Sequence, residues 1–136
     1  LATGTTAIPG DNTIPQNNEG VEFFTLAITP TSASSKLLIT INAVMGNTAA
    51  QWPTIALFQD STANALATAT VFQGTAGAGN TLSISHFMTA GTTSATTFKM
   101  RFGLGTTSTA YMNGPGGSAL FGGTCSTSMS VMEIAV

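Results

Sequence analysis

The sequence predicts an all-β chain: an antiparallel β-sandwich of jelly-roll type with about eight strands and no significant helix. Three observations carry that expectation. No segment places apolar residues at helical spacing. Apolar residues instead alternate over short runs rich in β-branched and aromatic types, and Gly, Pro, Asn and Asp punctuate these runs at nearly even intervals. An immunoglobulin-like sandwich is the competing architecture, but the paired cysteines around a tryptophan that mark it are absent.

Residues 1–20 read as an extended lead before a single domain of residues 21–136, with Pro9-Gly10-Asp11-Asn12 as a turn and Pro15 confining the next piece of chain to an edge or loop. Val21–Ile28 is the first expected strand, and strict alternation would send Phe23 and Phe24 to opposite faces. Thr29-Pro30-Thr31-Ser32 breaks it. Lys36–Met45 is the clearest strand, with Leu37, Ile39, Ile41, Ala43 and Met45 on a core face and Leu38, Thr40, Asn42 and Val44 on the other. Pro53–Asp60 sets Ile55 and Leu57 against Ala56 and Phe58. Ala65–Gln73 comes next and ends in the glycine-rich Gly74–Gly79.

Thr81–Thr89 groups Leu82, Ile84, His86 and Met88, and Thr96–Leu104 opposes Phe98, Met100, Phe102 and Leu104 to Thr97, Lys99 and Arg101. Thr109–Met112 is short and runs into the turn-forming Asn113–Gly117, and Ala119–Phe121 is expected to add a brief strand. The chain closes on Thr127–Val136, where an apolar end is expected to be pinned in the middle of a sheet rather than frayed.

Length allows one domain with a real core and needs no metal or disulfide to hold it. Only 6% of the chain is charged while 43% is hydrophobic, against about 25% charged in ordinary soluble domains. Several strands are apolar on both faces, so a second face must be covered. With so little charge to keep copies apart, closed self-association is the expected outcome. A net charge of −2 offers no basic footprint for nucleic acid. No apolar run approaches the roughly 20 residues that span a bilayer, and no signal peptide is evident. The chain opens on Leu1 rather than Met, as an excised piece of a longer chain would.

Reactive chemistry is sparse. Cys125 is the one cysteine and His86 the one histidine, so Cys125 reads as a small semi-buried residue and His86 as a core or interface residue in phase with Leu82, Ile84 and Met88. The sharper alternative for His86 is a metal site in which symmetry-related copies meet on a trimer axis. No Gly-x-Ser-x-Gly elbow accompanies a Ser-His-Asp set, and nothing places a reacting bond between Glu19 and Glu22. No enzyme and no cofactor are therefore expected. Gly74–Gly79 lacks the Lys-Ser/Thr of a phosphate loop and leads into a strand. A sugar site needs an aromatic platform and amides or hydroxyls to pair with ring hydroxyls. The candidate ligand-binding residues are Gln51 and Trp52 at one loop-to-strand junction and Tyr111 and Asn113 at another. Against this stands a structural role, Trp52 capping the core and Tyr111 packing at a subunit seam.

Asp11-Asn12-Thr13-Ile14-Pro15-Gln16-Asn17-Asn18-Glu19-Gly20-Val21-Glu22-Phe23-Phe24-Thr25-Leu26-Ala27-Ile28-Thr29-Pro30-Thr31-Ser32, then Ser35-Lys36-Leu37-Leu38-Ile39, resembles an opening segment of bacteriophage virion fibre proteins, and Ser130-Val131-Met132-Glu133-Ile134 fits their close. The resemblance covers both ends of the chain and leaves its middle unmatched. It implies the C-terminal domain of a tail fibre or tailspike: a homotrimeric jelly roll on a virion that assembles with other virion proteins and often binds host-surface glycans. A purely structural module, for trimerisation or capsid decoration, is the second expectation.

Overall fold

A computed structural model describes residues 1–136. Nine strands are formed: β1 (Ala2–Gly4), β2 (Val21–Ile28), β3 (Lys36–Asn47), β4 (Thr54–Gln59), β5 (Ala67–Thr70), β6 (Gly79–Thr89), β7 (Thr96–Gly103), β8 (Ala110–Met112) and β9 (Ser128–Ile134). Two one-turn 3-10 segments, Pro115–Gly117 and Phe121–Gly123, are the only helical pieces. No helix is long and apolar enough to cross a membrane.

The strands form two antiparallel sheets, ordered β1-β8-β3-β6 with β9 also on β3, and β2-β7-β4-β5. Four ladders nest within one another, β1 with β8, β2 with β7, β3 with β6, and β4 with β5. That nesting is one long hairpin rolled on itself, and it gives the expected jelly-roll sandwich. β9 is the addition. It lies against Lys36–Asn42 of β3 while β8 takes Met45–Asn47 of the same edge. Its other edge pairs with nothing, and Val136 is exposed, so the chain end sits at the sandwich margin rather than mid-sheet.

The core lies where alternation puts it. Leu37, Ile39, Ile41, Ala43 and Met45 of β3 meet Phe98, Met100 and Phe102 of β7 and Ile55 and Leu57 of β4 across the sandwich. Each is fully buried, worth about 1.5–3 kcal/mol for each large apolar side chain removed from water.

Three local features depart from the sequence reading. A β-bulge between Glu22 and Phe24 breaks the alternation in β2. Phe23 and Phe24 consequently both pack towards the core, their rings 4.7 Å apart and edge to face. The strand expected at Ala119–Phe121 is replaced by a 3-10 turn, because Phe121, Gly122 and Gly123 all take positive φ, which no strand tolerates. Finally, the first twenty residues are not outside the sandwich. Ala2–Gly4 pairs with β8, and the segment after it folds over the outer face of the β2-β7-β4-β5 sheet. There Ile8 is buried against Ala56 and Phe58 in a second small core. The amide of Ile8 donates to Leu104 O, that of Gly20 to Ala7 O and that of Ala65 to Pro15 O. The apolar second face of β4, read from sequence as a surface for a like copy, is covered by the chain's own lead.

Candidate functional site

The jelly roll gathers four connections at one end of the sandwich: residues 5–20, 48–53, 71–78 and 104–109. Main-chain bonds tie them together. Gln51 and Gln73 exchange both of theirs, at 2.9 and 2.8 Å, and Thr48 N donates to Thr109 O.

Trp52 stands among these loops. Its carbonyl accepts from Thr54 Oγ1, whose oxygen also meets Thr70 Oγ1, and Thr70 Oγ1 in turn donates to Pro53 O. This short threonine ladder fixes the backbone of Trp52-Pro53, and the rigid Pro ring helps. Trp52 is 44% exposed. Its indole leans on Phe72, with ring centroids 5.0 Å apart at 56°, and it flanks the backbone of Gly10 and Gly105, where even a Cβ would come within 3.6 and 3.3 Å of the ring.

Beside the indole lies a cleft of about 330 Å³. Its floor is the outer face of β4 and β5, presenting Thr54, Thr68 and Thr70. Its wall is the lead, with Pro9, Gly10, Asp11 and Thr13. One oxygen of Asp11 accepts from both the hydroxyl and the amide of Thr13. The Thr13 hydroxyl first, and the amide second, hold the Asp11 carboxyl below its ordinary value of 3.8. Its other oxygen is free to accept from a ligand. The cleft thus offers an aromatic face, hydroxyls and one fixed carboxylate, which suits a ring carrying several hydroxyls.

The four residues singled out from sequence are parted. Gln51 and Trp52 share this loop cluster, but the Gln51 amide donates to Thr106 Oγ1 at 2.6 Å and so joins two loops. Tyr111, opposite Gly46 in β8, lies on the outer face of the other sheet, against Gly117. Asn113 takes φ 64° and its Oδ1 accepts from Thr127 N at 2.7 Å, closing the base of the 113–127 excursion. Asp11, Thr13, Thr68, Thr70 and Phe72 were missed. Nothing in the sequence announces that a lead folds back over a sheet 40 residues away.

His86 sits half-buried on the edge strand β6 opposite Ile39, in the same file as Leu82, Ile84 and Met88. Cys125 is free and half-buried. No three His, Cys, Asp or Glu side chains converge within the chain.

A second cleft of about 280 Å³ opens on the same outer face, lined by Asn17, Glu22, Phe58, Asp60, Ser61, Lys99 and Arg101.

No protein-family description matches the chain, and no curated protein does. Among solved structures it is similar to the EclA C-terminal domain, described as a sugar-binding protein, with 12% identity and a TM-score of 0.48 over 96% of this chain and 76% of that one.

Proposed function

We propose that the chain is a non-enzymatic carbohydrate-binding domain whose ligand rests on Trp52. The observation that carries this reading is the exposed indole, held by the Thr54–Thr70 ladder at the mouth of a cleft with hydroxyls on its floor and the Asp11 carboxylate on its wall.

On this reading the domain attaches a homotrimeric bacteriophage fibre or tailspike to host-surface glycans, with avidity gained from three copies. The likeness of residues 11–32, 35–39 and 130–134 to fibre proteins supports the setting. The neutral outer face of β3, β6 and β9 supports self-association.

Glycan-array binding followed by titration tests the proposal. Trp52→Ala is expected to weaken binding about tenfold, the weight of one aromatic contact of ~1.5 kcal/mol. Thermal unfolding should stay near wild type, because the indole lies outside the core. Unchanged glycan binding by folded Trp52→Ala protein would overturn the assignment.

A further inference from the structure

The second cleft concentrates charge in a chain that has almost none. Of three Lys/Arg and five Asp/Glu in the whole sequence, Lys99, Arg101, Glu22 and Asp60 line this one cleft. Their bonding is uneven. Asp60 spends both oxygens on β7, accepting from Thr96 Oγ1 at 2.9 Å and Thr97 N at 2.7 Å. Arg101 is clamped in place, donating from Nε to Glu19 O at 2.6 Å and from Nη2 to Gly20 O at 2.9 Å. Its Nη1 is left 3.6 Å from Glu22, and Lys99 Nζ is 3.9 Å from the same oxygen. Neither separation is a hydrogen bond. Two cations therefore face the cleft with donors unspent, beside the hydroxyl of Ser61 and the Oδ1 of Asn17, whose Nδ2 is already committed to Ser61 O and Thr62 O.

Glu22 bridges the two cations only loosely, so a ligand carboxylate beside it would take the donors of Lys99 and Arg101 Nη1 that this bridge leaves open, and the flanking Ser61 and Asn17 match hydroxyls on the same ring. A simple dianion would be repelled by Glu22 and Asp60. The floors of the two clefts, Thr54 and Phe58, lie four residues apart on β4, or about 13 Å. One extended chain of sugars crossing the lead can thus fill both.

We propose that this cleft is a carboxylate-recognising subsite, so that the ligand of this sheet face is an acidic, uronate-containing polysaccharide. The ligand class rests on the carbohydrate reading of the Trp52 cleft.

Amide NMR titrations of the whole chain with glucuronate, galacturonate, glucose, galactose and acetate test it. Uronates are expected to shift Asn17, Ser61 and Lys99 saturably, and neutral hexoses to shift only the Trp52 cleft. Acetate, carrying the carboxylate alone, should bind several-fold more weakly than the uronates. Lys99→Gln should weaken uronate binding about three- to fivefold, as expected for a partly exposed ion pair, and leave neutral sugars unaffected. Uronates that leave Asn17 and Ser61 unshifted, or acetate that binds as well as they do, would overturn the subsite while leaving the Trp52 reading intact. Uronate binding at Lys99 with a silent Trp52 cleft would instead sink the Trp52 reading and the two-cleft ligand, and retain the carboxylate subsite alone.

Discussion

Pro115 owes its seat to two missing side chains. Gly46 and Gly79 are direct partners across the β3–β6 ladder. A Cβ on Gly79 would fall 2.4 Å from Pro115 Cγ, and one on Gly46 would fall 2.7 Å from Pro115 Cα. The 113–127 excursion thus docks in a slot made of hydrogen atoms alone. Gly79→Ala is expected to lift the excursion and cost about 1–3 kcal/mol, the usual range for forcing extra volume into a packed site. Urea unfolding measures it, and a change within about 0.5 kcal/mol, the range of unremarkable surface substitutions, would contradict the docking. The sequence marks Gly79 as the end of a glycine-rich loop and Pro115 as a turn residue. It contains no sign that they meet, because a contact between positions so far apart depends on register. Trp52 was visible for the opposite reason: an aromatic between Gln and Pro at a loop-to-strand junction is a local signal, and its exposure stems from local backbone.

At the scale of elements, alternation made most strands legible. The buried file Phe98, Met100 and Phe102 in β7 and the file Leu37 to Met45 in β3 come directly from period two. The bulge in β2 was not legible, since one extra residue leaves the apolar pattern almost unchanged while turning Phe23 to the side of Phe24. β9 was expected as a strand but not as a margin, and its attachment rests partly on a charged acceptor. The Glu133 carboxylate accepts from Thr31 N at 2.9 and 3.0 Å, from Thr31 Oγ1 at 2.8 Å and from Ser32 N at 3.3 Å, tying β9 to the β2–β3 connection. The Thr31 amide first, and the Ser35 hydroxyl next, hold its carboxyl below the ordinary 4.5. A lowered folded-state pKa means stability that is full above about that ordinary value and is lost as pH falls through the folded one. β9 amides should therefore gain hydrogen exchange selectively below pH 4.5, before the rest of β3 and β6. In Glu133→Gln, which cannot ionise, that step should vanish. Uniform acid loosening of all strands in both proteins would contradict it.

At the scale of the molecule, the scarce charges are segregated. Asp11, Glu22, Asp60, Lys99 and Arg101 all border the two clefts on the outer face of the β2-β7-β4-β5 sheet. Lys36 is the only ionic side chain on the outward positions of β3, β6 and β9. Those positions carry Ser, Thr and Asn rows, with Thr40 Oγ1 2.6 Å from Ser130 Oγ and Ser83 Oγ donating to Asn42 Oδ1 at 2.8 Å. They also carry one apolar row, in which Leu38 lies between Phe87 and Met132 by register. Phe87 is 58% and Met132 59% exposed, with Ile134 beside them. The surface left for self-association is thereby narrowed: the lead covers β4 and the excursion covers the Gly46 end of β3, which leaves this row as the apolar part of the β3-β6-β9 face, beside the unpaired strand edges. A neutral face with an apolar centre at one side of the molecule, and polar clefts at the other, is the arrangement that lets copies associate while their clefts stay open. Sedimentation equilibrium is expected to give three times the chain mass. Phe87→Glu combined with Met132→Glu, both outward and clear of the core, should give a folded single chain. A wild-type monomer would defeat the trimer outright. A trimer unaffected by the two glutamates would move the interface off this face and return it to the free strand edges.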